Sequence, residues 1–234
     1  MRKLIVMLMC LSLLSGCSLT PAAVKLPDDS ISLETADSIL LEHDFSQVVI
    51  DHLLPGHRIR LAENAVNSNE TRIYQTDIAI HQPDDKLKLA IVSIKSLDTE
   101  NDFLHGIEYH ISSEWLKAPF LGNYDRTEIE YAGKMHTLTS NMHPFFNDYS
   151  SSAYVWDKKS SEWLLADSFK GDFESNKIIF NGIPTYKRTK YYTYFTMISD
   201  NLRNHGVNEM TLKYTHSLAF MTMDNYSLTH TIEY

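Results

Sequence analysis

Cysteine is almost missing from this chain: its 234 residues hold two, Cys10 and Cys17, both near the start. Everything after position 17 therefore lacks disulfides, thiolate nucleophiles and sulfur-ligated metals, whatever compartment the chain occupies. Glycine is scarce as well, with eight in all, and neither a GxGxxG nor a GxxxxGK phosphate cradle occurs. No GxSxG turn presents a nucleophilic serine. Positive charge is short: 21 Lys and Arg stand against 30 Asp and Glu, for a net charge of -9. With no basic stripe or polybasic run, duplex nucleic acid and anionic lipid surfaces lose the electrostatic term that would draw them in. Long apolar runs are also absent. The segment Leu4 to Leu14 would span only about 16 Å as a helix, half of a ~30 Å hydrocarbon layer.

That short apolar segment is informative by its surroundings. Arg2 and Lys3 precede it and small residues follow, the layout of an export signal. The stretch Leu14-Ser15-Gly16-Cys17 resembles the lipobox of bacterial lipoproteins: Leu, a small residue, Gly or Ala, then Cys. The resemblance covers only the first twenty residues. It implies that residues 1–16 are a signal peptide and that Cys17 is the lipidation site and mature N-terminus. Its thiol would carry diacylglycerol and its amine a further acyl chain such as palmitate. Several chains give durable anchoring where one gives only marginal binding, at about 0.8 kcal/mol per buried methylene. Loss of Arg2 and Lys3 would take the net charge from -9 to -11. Ser18, in place of an aspartate, implies by the same resemblance sorting to the outer membrane of a Gram-negative bacterium, in an undetermined leaflet.

Residues 17–30 lack periodicity, and Pro21 and Pro27 discourage regular structure, so they read as a tether. Residues 31–234 are long enough for one domain with a full core. Leu33, Ala36, Leu40, Val48, Val49 and Leu53 recur near helical spacing, and "LLPG" at 53–56 reads as a stop, which gives an N-terminal unit of one or two helices. Beyond it the period becomes two. Tyr74, Thr76, Ile78 and Ile80 share a face, "QPDD" makes a turn, and "KLKLAIVSI" is apolar enough on both sides for a covered strand. Hairpins are expected to break at Ala132-Gly133 and at Asp157–Ser161, the second bringing Tyr154 and Trp156 beside Trp163 and Leu165 as a packed face. "KIIFNGIPTY" adds a short strand.

Tyr191, Tyr194, Phe195, Ile198 and Leu202 form a stripe ahead of Gly206, which predicts a helix over 191–205. A final hairpin follows, in which a three-residue loop at 223–225 pairs Phe220 with Leu228 and Leu218 with His230, with Asn225 left-handed. The fold class expected is α+β: a predominantly antiparallel, curled sheet, an N-terminal helical unit and one helix before the C-terminal hairpin.

Candidate chemistry rests on histidines. In the expected register His216 and His230 are diagonal neighbours on an apolar face. A metal would need a third ligand that the sequence does not supply, so both read as hydrogen-bonded core histidines. "HGIEYH" gathers His105, Glu108 and His110, and "MHTLTSNMHPFF" offers His136 and His143, but neither matches the helical HExxH pattern. The sequence thus assigns no catalytic residue, no metal ligand and no cofactor. The expected role is a non-catalytic binding or accessory function in the cell envelope. The membrane is reached through acylated Cys17, and the partner is an envelope protein or a small apolar ligand, not nucleic acid. Two other roles fit the same features. One is an immunity or inhibitor lipoprotein acting against an exported toxin or lytic enzyme. The other is a hydrolase of envelope polymers, whose carboxylates would converge only on folding.

Overall fold

The computed structural model describes residues 31–67, 72–98, 103–117, 124–132, 135–137, 150–157, 159, 162–170, 172–174, 177–182, 189–199, 207–218 and 221–233. Residues 1–30, expected to be a signal peptide and tether, and Phe220 lie outside them. Among the described residues three helices come first: α1 (Leu33–Glu42), α2 (Gln47–His52) and α3 (Pro55–Asn67). Ser32 caps α1 by accepting from the Thr35 amide, and Ser46 caps α2 by accepting from the Val49 amide. Between them Asp44 takes a positive φ of 65°, the left-handed step that lets the chain leave α1. "LLPG" ends α2 and also begins α3, because Pro55, whose missing N–H costs nothing in a first turn, occupies the first helical position.

Among the described residues twelve strands follow: β1 (Arg72–His81), β2 (Leu87–Asp98), β3 (Phe103–Trp115), β4 (Tyr124–Ala132), β5 (Met135–Thr137), β6 (Ser150–Asp157), β7 (Glu162–Lys170), β8 (Asp172–Glu174), β9 (Lys177–Gly182), β10 (Thr189–Ser199), β11 (Val207–Leu218) and β12 (Met221–Glu233). They form two antiparallel sheets. The larger is ordered β1-β2-β3-β10-β6-β7, with β5 also on β10, and the smaller β12-β11-β4-β9-β8. Leu89, Ile91, Tyr109, Ile111, Phe195 and Met197 from the larger meet Ile129, Phe180, Met210, Leu212, Tyr214 and Ile232 from the smaller in one buried cluster. Two sheets sharing a core in this way make a face-to-face packing. The helices cover the other face of the larger sheet, where Leu40, Val49, Ile50, Ile59 and Ala62 pack with Val92 and Ile94. The smaller sheet turns outward a ladder of opposite charges, in which Lys177 bridges Glu128 and Glu130 and Lys213 meets Glu130 at 2.6 Å.

The α+β class with antiparallel sheets stands, but the single curled sheet and the second helix do not. Residues 189–199 form β10, a central strand of the larger sheet. Its run of Tyr, Thr and Phe suits a pleated sheet. Tyr191, Phe195 and Met197 face the shared core, while Tyr192 lies in a second cluster with Leu54 and Tyr154. A strand covered on both faces loses its period of two, and the leftover apolar spacing imitates a helical stripe. Expected residues 200–206 lie outside the described residues. Two separate sheets replace the single curled one because the apolar residues of β4, β9 and β11 face those of β2, β3 and β10 instead of continuing their sheet.

Two hairpin expectations also change. β4 and β5 belong to different sheets, so they do not pair as the hairpin expected around Ala132-Gly133. In the final hairpin Leu212 pairs Leu228 and Tyr214 pairs Tyr226, with an irregularity after His216 and closure at Leu218 and Met221. The faces align as expected, but the register is displaced, and Asn225 is not left-handed. The β1–β2 turn at "PDD" is built as read, the Asp84 carboxylate accepting from the Lys86 and Leu87 amides. The β6–β7 hairpin pairs Tyr154 with Leu165 and Trp156 with Trp163. Tyr154, Trp163 and Leu165 there pack with Leu54 and Tyr192, a packed face as expected.

Candidate functional site

Strand alternation decides which groups of β3 meet the helices. Ile107, Tyr109 and Ile111 enter the shared core, so Glu108 and His110 point to the opposite, helix-covered face. Across the ladder His110 lies opposite Val92 on one side and Tyr194 on the other. Above them runs α3, where His57 and Arg60 stand one turn apart and share a face.

The side chains converge tightly. The Arg60 guanidinium donates to Glu108 Oε1, and His110 Nε2 approaches the same oxygen at 2.5 Å. His110 Nδ1 lies 2.5 Å from the Tyr192 hydroxyl. The His57 ring stands edge-on to Tyr194 at 4.2 Å and to His110 at 5.0 Å, and stacks on Tyr192 at 5.5 Å. The ion-pair and hydrogen-bond geometries differ at one atom: His110 Nε2 is close to Glu108, yet it has no aligned hydrogen-bond partner and is buried. The contact is an electrostatic approach without the directionality of a hydrogen bond.

The electrostatics follow. Burial holds the His57 imidazole down at about 3, helped by the neighbouring His110 and Arg60, so the ring is neutral and keeps a lone pair. Burial alone would raise the Glu108 carboxyl, but the electrostatic approach of His110 and the charge and hydrogen bond of Arg60 overcome it and bring the group to about 2. Burial, and then the charge of Glu108, push the Tyr192 phenol well up, so it keeps its proton. One ligand atom from each of His57, Glu108 and His110 lies within 4.8 Å of the others, a set that could hold a metal.

The two histidines singled out in the final hairpin are not part of this cluster and stand apart from each other in the ladder, His216 facing Asp224 and His230 facing Met210. Each is buried in a network of its own. His216 Nδ1 donates to Asp125 Oδ1 at 2.7 Å, Tyr214 donates to Asp125 Oδ2, and Trp115 Nε1 donates to the Tyr214 oxygen at 2.7 Å. His230 Nε2 lies 2.9 Å from Ser93 Oγ, tying β12 to β2 across the core. Burial lowers His230 below its usual value, against the weaker pull of Asp77. The side chains of His105 and His136, and all of His143, lie outside the described residues.

Sequence reasoning gathered Glu108 and His110 but missed His57 and Arg60. The signal that could have found them is Pro55 at the head of a further helix, followed by apolar residues at Ile59, Ala62 and Ala65 with His57 and Arg60 one turn apart.

No protein-family model matches the chain, and no curated protein matches it. Among solved structures it is similar to the collagen-binding subdomain of the Enterococcus faecalis surface protein ACE, at 12% identity and a TM-score of 0.37, over 55% of this chain and 86% of that one. A second ACE structure, described as binding its ligands by the collagen hug model, gives 9% identity and a TM-score of 0.38, over 63% of this chain and 64% of that one. Clostridium perfringens delta-toxin gives 7% and 0.29, over 69% and 88%. At such scores these likenesses carry no argument about fold or role.

Proposed function

We propose that this chain is a lipid-anchored protein of the bacterial envelope whose folded body serves a non-catalytic binding or accessory role toward an envelope protein. The observation that carries the reading is Leu14-Ser15-Gly16-Cys17 behind a charged start and a short apolar run. The first described helix is capped by Ser32, and residues 17–30, with Pro21 and Pro27, are read from the sequence as the link between it and the anchor. The non-catalytic half draws support from His216 and His230. Both are buried and engaged by Asp125 and by Ser93, arrangements that tie strands together as core histidines do.

Intact-mass measurement of the native protein tests the anchor: the expected chain starts at Cys17 and carries acyl groups, and Cys17→Ser moves the product from the membrane to the soluble fraction. An unacylated chain starting elsewhere refutes it. Crosslinking in intact envelopes tests the role, with a stable protein adduct expected. Turnover of an envelope polymer by the purified protein would move the assignment to the hydrolase reading.

A further inference from the structure

We infer that His57, Glu108 and His110 form a binding site for a divalent transition-metal ion of the zinc class, which fastens helix α3 to the centre of the larger sheet. The inference concerns the folded body alone and does not depend on the membrane anchor.

The donor set is two imidazole nitrogens and one carboxylate oxygen, which suits zinc and its first-row neighbours better than the all-oxygen shells of calcium or magnesium. The ligands come from two elements held in place by other contacts, β3 by its ladders to β2 and β10 and α3 by Ile59 and Ala62 in the helical core. An ion here would therefore find them already gathered within 4.8 Å. His110 supplies the second observation. Its side chain is wholly inaccessible, and its Nε2 faces the cluster without an aligned partner. Its other nitrogen is held by the Tyr192 hydroxyl at 2.5 Å. Metal-ligating histidines are oriented this way, the far ring nitrogen donating to an oxygen so that the near one keeps its lone pair.

Arg60 completes the picture. Glu108 is buried and needs a positive partner, and the guanidinium provides one. At 39% exposure the Arg60 side chain can swing toward solvent and leave the carboxylate to an ion. Tetrahedral ligands at about 2.1 Å stand ~3.4 Å apart, so the 2.5 Å approach of His110 to Glu108 opens by roughly 1 Å on binding. Rotation of the Glu108 side chain, no longer tied to Arg60, supplies that movement. Three protein ligands leave a fourth position for water.

The competing account is a closed polar chain, Arg60–Glu108–His110–Tyr192, with His110 Nε2 protonated toward the carboxylate and no ion needed. Zinc ion titrated alone into untagged, chelator-stripped protein separates the two, read by calorimetry, elemental analysis and thermal melting. One zinc per chain is expected, with a rise in melting temperature. His57→Gln and Glu108→Gln should weaken binding by at least about a hundredfold, and Tyr192→Phe by about 10–100-fold. Arg60→Gln, at a partly exposed residue that should tolerate it, binds zinc at least as tightly as the parent, because the competing cation is gone. The closed polar chain expects the opposite: no zinc, and an Arg60→Gln protein that is only less stable. Absence of zinc binding in the parent protein, or equal binding by the parent, His57→Gln and Glu108→Gln, overturns the assignment.

Discussion

Replacing Asp125 with alanine removes the acceptor on which a buried network of the smaller sheet converges. Asp125, Tyr214 and His216 are all nearly inaccessible to solvent. The carboxylate accepts from His216 Nδ1 at 2.7 Å and from the Tyr214 hydroxyl, with the Trp115 indole 3.4 Å from the same oxygen. Burial, and then the charge of Asp125, raise the Tyr214 phenol well above its usual value, so it stays a donor. Alanine leaves the imidazole N–H and the phenol O–H without acceptors, at about 1–3 kcal/mol each. Breaking such a buried pair altogether costs about 3–5 kcal/mol. With a urea slope of about 3 kcal/mol/M, the unfolding midpoint should fall by about 1–2 M. Tyr214→Phe removes the phenol donor and the oxygen that accepts from Trp115 Nε1, but leaves the His216 bond intact and the indole within 3.4 Å of the carboxylate, so about 1–2 kcal/mol is expected. Because the two residues share a bond, the double variant should lose less than the sum, with a coupling of about 0.5–3 kcal/mol. A D125A midpoint within about 0.2 M of the parent, or strictly additive losses, would refute the reasoning.

The buried histidines should make stability fall in acid. Burial lowers His230 and His52, the latter also through Lys88 and Lys190, with Val48 and Glu114 pulling the other way. The unfolded chain therefore takes up these protons first, and stability present above about pH 6.5 is lost as pH drops below it. Urea midpoints at about pH 7.5 and about pH 5.5 check this, and His230→Gln should flatten the difference; an unchanged difference counts against His230 as a source. Deleting residues 226–234 strips Ile232 and the partly buried Tyr226 and Leu228 from the shared core and His230 from Ser93. Ile232 alone is worth about 1.5–3 kcal/mol, so an unfolded or insoluble product is expected. A soluble truncated protein with native near-ultraviolet circular dichroism would count against the pairing. Leu40→Ala, at a fully buried position of the helical layer, should cost about 2–5 kcal/mol, and a midpoint unchanged from the parent would show that the layer adds little.

Local pairings were legible in the sequence and distant ones were not. β1–β2 and β6–β7 are neighbours joined by polar turns, so alternation and turn chemistry locate them. Alternation also put the correct faces of β11 and β12 together, but it repeats every two residues and cannot separate registers that differ by an even number. Residues 189–199 misled because β10 buries aromatic side chains on both faces, Tyr191 and Phe195 on one and Tyr192 on the other. Which strands lie in which sheet depends on contacts such as β4 with β9 and β11, for which one sequence carries no local signal. At the candidate metal centre the reading tested "HGIEYH" against a helical spacing. On a strand the relevant spacing is two, which puts Glu108 and His110 on one face, and the third ligand waits on a helix whose start was read as a stop.

The sheet order has a kinetic consequence. His110 and Tyr192 touch across 82 residues of chain, Asn208 and Tyr109 across 99, and Ser93 and His230 across 137. Contacts so distant form only after long loops have closed, and chains dominated by them fold slowly. Until β10 arrives, β3 offers an unpaired edge beside a half-covered hydrophobic face, the state most open to wrong association. The helices and the β1–β2–β3 meander can assemble early from their own neighbours, whereas Tyr192 reaches His110 only when β10 docks. The three ligands of the candidate metal centre, on α3 and β3, can therefore gather early, while the Tyr192 hydroxyl that orients His110 arrives only at the step that commits the chain to its native topology, and an ion captured there would slow the return journey by holding α3 against β3.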